Sequence, residues 1–97
     1  MRIINHGLRA GKFQTYKAWL LEVQRRLRWS WHRHATSNAK VILTYEIPND
    51  LDLLGSYYKL SDVIWLITAN HSLWTTPFHK KSLQYTFLHE LGHRAPS

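Results

Sequence analysis

A chain of 97 residues with a net charge of +7 and no cysteine excludes a disulfide scaffold and a thiolate metal site, and has length for one domain, residues 1–97, around one core. Hydrophobic residues make up 44%, with five Trp, five Tyr and three Phe, a composition that excludes a disordered chain. No stretch approaches the roughly 20 apolar residues that cross a bilayer, and the first residues lack the apolar run of a signal peptide, so the expected setting is cytoplasmic with no membrane partner.

The charge is uneven. Residues 1–40 hold nine Lys/Arg against Glu22 alone, giving +8, while residues 41–97 hold four against five Asp/Glu, giving −1. A basic front half raises the expectation of an anionic partner, nucleic acid or an acidic protein surface. The same charges also serve as a solvated helix face that keeps a protein soluble.

In chain order, Met1 to Gly11 reads as irregular, with Gly7 and Gly11 as breakers. From Lys12 to about His34, Tyr16, Leu20, Val23, Leu27 and Trp31 recur every three or four residues, which predicts a long helix with one apolar stripe. Glu22, Arg25, Arg26, Trp29 and Arg33 fall on the opposite side of the wheel, and with Arg28 they offer a basic-plus-aromatic arrangement of the kind that binds phosphates and stacks on bases. Such a Trp also packs under guanidinium stems without any ligand. Ala35-Thr36-Ser37-Asn38 ends the helix.

Lys40 to Glu46 is rich in β-branched and aromatic residues and predicts a strand, closed by Pro48-Asn49-Asp50. Tyr57–Leu60 and Val63–Thr68 flank Ser61-Asp62 as a β-hairpin. Thr76-Pro77 then opens a helix that runs to about His93, with Leu83, Phe87 and Leu91 on one face and Tyr85, His89 and His93 on another. The fold class expected is α+β: a long N-terminal helix, a small antiparallel sheet of about three strands, and a C-terminal helix.

That last helix carries His89-Glu90-Leu91-Gly92-His93, an H-E-x-x-H sequence. Four-residue spacing sets two imidazoles one turn apart, able to hold one zinc ion, and places Glu90 beside them to handle a proton. Zinc brings the pKa of a bound water to roughly 7, so a carboxylate there can act as general acid and base. Gly92, costly inside a helix by about 1 kcal/mol, points to close approach of another backbone segment or of substrate.

From about Gly55 to His93 the chain resembles the zincin superfamily of metallopeptidases. The order hairpin, loop, then Tyr-Thr-Phe-Leu-His-Glu-Leu-Gly-His looks most like the small intracellular ImmA/IrrE-type peptidases, and less closely like the SprT-like ones. The resemblance implies an antiparallel sheet beside an active-site helix, zinc on His89 and His93, Glu90 as general acid/base and a protein or peptide substrate. It also implies a third ligand downstream, where only Arg94-Ala95-Pro96-Ser97 follow. That ligand is therefore expected from upstream, with His71 first and His32 and His34 behind it, or from a partner chain or solvent. The competing reading is a small basic module without catalysis, such as a phage or mobile-element inhibitor, that grips nucleic acid or an acidic protein through the first helix.

Overall fold

The computed structural model describes residues 1–27, 36, 38–46, 53–71 and 76–94. It opens with a strand, β1 (Arg2–His6), followed by α1 (Ala10–Arg26), β2 (Lys40–Thr44), β3 (Gly55–Tyr58) and β4 (Val63–Ile67). A single helical turn, α2 (Thr68–His71), leads to α3 (Thr76–Arg94).

The strands form one sheet in the order β1-β2-β4-β3. β1 is parallel to β2 and β2 to β4, and only β3 runs antiparallel, against β4. The protein is thus mixed α/β, and the expected three-stranded antiparallel sheet is corrected to four strands with a parallel centre. Two features produce the difference. Arg2-Ile3-Ile4-Asn5-His6 has only two apolar residues and no alternation, so its strand character comes from pairing in the register Ile3↔Val41 and Ile4↔Ile42. With α1 between them, β1 and β2 have the crossover connection that parallel neighbours require.

α1 is also shorter than its periodicity suggests. It ends at Arg26, and Leu27 takes extended backbone angles, φ −75 and ψ 114. No glycine or proline marks that stop, and the apolar spacing runs on through Trp31, so a helical wheel has nothing to register. Residues 28–35 lie outside the described residues.

The long helices cover one face of the sheet. Because strand side chains alternate, Val41 and Leu43 of β2 share a face with their partners Ile64 and Leu66 of β4. On them pack Tyr16, Leu20 and Val23 from α1 and Leu83, Phe87 and Leu91 from α3. Both helical stripes therefore meet the core as expected, and burying the stripe of α3 fixes the rotation of the helix. On the other face Ile42 pairs with Trp65, and the His6 and Trp65 rings meet in a T-shaped arrangement with centroids 5.7 Å apart. Among the described residues, no helix is long and apolar enough to cross a membrane.

Candidate metal centre on the C-terminal helix

With Leu83, Phe87 and Leu91 turned inward, the residues beside them on α3 are positioned without further choice. His89 and His93 project one turn apart into solvent, their rings edge to face with centroids 4.9 Å apart. Their Nε2 atoms lie 3.2 Å from one another. Two nitrogens at about 2.0–2.1 Å from one tetrahedral ion are separated by about 3.3–3.4 Å, so the imidazole pair fits a zinc ion with little movement.

Glu90 is buried on the flank of the same turn, 7% exposed. Its carboxylate and the nitrogens of His89 and His93 all lie within 4.8 Å of one another, the one such donor group among the described residues. Glu90 and His93 form one wall of a cleft of about 390 Å³, whose other wall is the edge strand β3 and the turn after it, with Ser56, Tyr57 and Lys59. Sequence reasoning did not name that wall. Its signal was Gly55, a glycine directly ahead of an aromatic strand.

Gly55 is where close approach occurs. A Cβ there would stand 2.8 Å from Thr86 Cγ2 on α3, 3.0 Å from the Trp65 carbonyl and 3.1 Å from Leu66 Cδ2. A Cβ at Gly92 would meet nothing within 4 Å, which corrects the expectation that this glycine accommodates a neighbouring segment of the fold. The two therefore respond oppositely to alanine. Gly55→Ala is expected to lower stability by about 1–3 kcal/mol through overpacking, and Gly92→Ala to raise it by about 0.5–1 kcal/mol. Urea denaturation measures both, and a neutral Gly55→Ala would mean that β3 is free to shift away from α3.

The end of α3 is tied down next to His93. Arg94 reaches across to Asp62 in the turn between β3 and β4, with Nε 2.8 Å from Oδ1 and Nη2 3.0 Å from Oδ2. The Tyr57 hydroxyl donates to the same Oδ1 at 2.8 Å. Asp62 sits at φ 55, a left-handed conformation uncommon for any residue but glycine, asparagine and aspartate. The hydrogen bond from Arg94, opposed by desolvation and supported by the Tyr57 hydroxyl, holds the Asp62 carboxyl below its usual pKa. Burial first, and the Asp62 contact second, pushes the Tyr57 phenol up.

His71 does not join the pair. It is fully buried, with Nδ1 2.7 Å from Ser82 Oγ and Nε2 3.1 Å from the Leu54 carbonyl. The carbonyl can only accept, so Nε2 carries the proton and, in the neutral ring, the Ser82 hydroxyl donates to Nδ1. Ser82 precedes His89 by two turns, about 10 Å along α3. Both ring nitrogens of His71 are thus engaged elsewhere. His32 and His34 lie outside the described residues.

His79 packs its ring against Tyr16 and Trp19, with Nε2 buried and without a hydrogen-bond partner among the described residues. Burial lowers the pKa of both His71 and His79 below the ordinary 6.5, with nearby Lys12 adding to the effect at His79. The unfolded chain then binds protons that the folded chain refuses, so these groups add stability above pH 6.5 that is lost as pH falls from 6.5 through the folded values. Glu22 and Asp62, whose carboxyls are lowered by Lys80 and by Arg94, respond only at more acid pH. Denaturant melts should be flat from pH 8 to 7 and shift downward below 6.5, and His79→Phe should reduce that slope.

Of the basic first-helix set, Arg25 and Arg26 are exposed in the last turn of α1, while Arg28, Trp29 and Arg33 lie outside the described residues. Arg26 is paired with Glu22 at 2.7 Å, and Glu22 also meets Lys80 of α3 at 2.8 Å. The acid thus links the two helices rather than leaving an unbroken positive face.

Comparison with protein-family models, with curated proteins and with solved structures finds no match to this chain.

Proposed function

We propose that this protein is a zincin-like metallopeptidase module in which His89 and His93 hold zinc and Glu90 acts as general acid/base on a peptide laid along β3. The observation that carries the reading is the 3.2 Å separation of the two Nε2 atoms on a helix whose next residue round, Glu90, faces a cleft. When bound there, zinc supplies Lewis acidity that polarises a carbonyl and acidifies water.

The protein's own groups do the rest. The Glu90 carboxylate accepts the proton of the attacking water and returns it to the leaving amine. Its burial against the wall of the cleft keeps that carboxylate in place between the two transfers. β3 is the edge strand of the sheet, so its outer backbone groups can pair with an extended peptide, and Lys59 in the same cleft adds a positive charge for a carboxylate or carbonyl. Since His71 is committed to Ser82 and Leu54, the other coordination positions fall to His32 or His34, a donor from a partner chain, solvent or substrate.

The test is metal content and linkage. Protein purified without chelator should hold about one zinc per chain, and zinc at 100 times its Kd should stabilise the fold by about 2.7 kcal/mol. His93→Ala should abolish both effects while the unloaded protein melts normally. If no zinc is found and added zinc leaves the melting temperature unchanged, the metallopeptidase reading fails and the binding-module reading takes its place.

A further inference from the structure

A second concavity, sharing no residue with the histidine cleft, lies where β1 and β2 end and α1 begins. It measures about 480 Å³. The carboxyl ends of parallel strands, beside the first turn of the following helix, are where open α/β sheets place ligands.

The backbone there is left short of partners. Phe13 makes the first helical bond, N–H to the Arg9 carbonyl at 2.9 Å, so the N–H groups of Ala10, Gly11 and Lys12 have no acceptor within the helix. Arg9, the N-cap residue, supplies no side-chain cap, and the first turn holds no acid. A helix of 17 residues therefore presents its positive end uncompensated. Arg9 and Lys12 line the cavity and pair with no carboxylate among the described residues. A Cβ at Gly7 or Gly11 would meet nothing within 4 Å, and Gly7, at φ +85, also lines the cavity.

An independent observation comes from Tyr16. Its side chain is 96% buried by its place in the core, 4% exposed, yet it forms part of the cavity wall. Among the described residues its hydroxyl makes no hydrogen bond. The core holds its ring in place while the hydroxyl, open to solvent and without a hydrogen bond inside the protein, is a positioned donor for a group that enters the cavity. Tyr45, largely exposed, faces the same space.

We propose that this cavity is a binding site for a phosphate monoester, its dianion held by the first-turn N–H groups of α1, Arg9, Lys12 and the Tyr16 hydroxyl. Phosphate suits the donor set: several N–H groups converging at a helix start, two cations and one O–H, with no carboxylate in the lining. The volume exceeds that of phosphate alone, and the Tyr45 ring offers a surface for a planar substituent, so the class of ligand is a small phosphorylated molecule of nucleotide size. This site stands independently of whether the helix α3 pair binds zinc.

The experiment is a titration of the full chain, followed by amide NMR shifts, with inorganic phosphate, adenosine monophosphate and adenosine as the probes. Shifts at Gly7, Gly11 and Lys12 are expected with both phosphates, adenosine monophosphate binding more tightly than phosphate, and adenosine at least tenfold more weakly than its monophosphate. Lys12→Ala should weaken the monophosphate at least tenfold, and Tyr16→Phe, which keeps the buried ring, should weaken it severalfold with an unchanged melting temperature. Gly11→Asp separates binding from folding, since an acid in the first turn favours the helix while repelling the ligand: it should melt at the same temperature or higher and not bind. Lys17→Ala, on the same helix but outside the cavity, should bind as the parent does. Absence of shifts at millimolar phosphate and monophosphate would overturn the site, and so would equal weakening by Lys17→Ala and Lys12→Ala, which would mark general attraction to a basic protein.

Discussion

Glu90→Gln is expected to lower peptide hydrolysis by about 10²–10⁴-fold while zinc content and melting temperature stay as in the parent. The amide has the shape of the carboxylate but cannot take a proton from water, so the substitution removes the proton transfers that the proposed mechanism assigns to Glu90 and little else. Glu90 sits one residue from Leu91, which is 1% exposed, so a change of shape at position 90 would disturb the core, and the isosteric replacement avoids that. Turnover of a quenched fluorescent peptide library by zinc-loaded protein is the measurement, with zinc content read on the same samples. Arg25→Ala, in the exposed last turn of α1, serves as the control and should cleave as the parent does. Activity retained within threefold in Glu90→Gln would remove this residue from the chemistry, whatever the metal does.

The second large effect is on stability. Phe87→Ala should cost about 3–5 kcal/mol, because Phe87 is the largest fully enclosed side chain among the described residues and its loss leaves a cavity between α3, α1 and the sheet. A domain of this size has a total stability of roughly 5–15 kcal/mol, so the variant would retain only a fraction of it. At about 4–8 °C for each kcal/mol, its melting temperature should fall by at least about 12 °C. The histidine pair would loosen with it, since the rotation of α3 is set by Leu83, Phe87 and Leu91. Tyr85→Ala, on the exposed side of the same helix, should change stability by less than about 0.5 kcal/mol. Urea denaturation of the three proteins decides the matter, and equal losses at 85 and 87 would mean that enclosure of Phe87 in the core does not set the stability of this helix.

The candidate site was readable to different depths. His89, Glu90 and His93 are local: five residues on one helix, whose spacing alone brings them together once the helix forms. The opposite wall of the cleft, Gly55 to Lys59, comes from a strand more than thirty positions earlier, and nothing in its own residues says that it will lie against α3. His71 was expected at the metal because it follows the apolar strand β4. The turn α2 instead carries it under Ser82, where burial and two hydrogen bonds commit it to structure. Gly92 illustrates the same limit, since its helical context gave a reason for close approach, while the crowding that demands a glycine is at Gly55.

What the amino-acid order determined by itself are the features whose period or spacing is short: the apolar stripe Tyr16-Leu20-Val23, the inward face Leu83-Phe87-Leu91, the strand residues of β2 and β4, and the histidine pair. The helical features follow from a 3.6-residue repeat acting over a few turns, and the strands from short runs of β-branched and aromatic residues. Tertiary structure alone decided that Arg2–His6 is a strand, that the sheet has a parallel centre, and that α1 stops at Arg26. The strand and the parallel centre rest on hydrogen bonds between residues dozens of positions apart, whose energy appears only when both partners are in place, whereas the stop of α1 shows only as the extended turn at Leu27. The His89–His93 pair therefore belongs to the sequence, and the cleft beside it belongs to the fold.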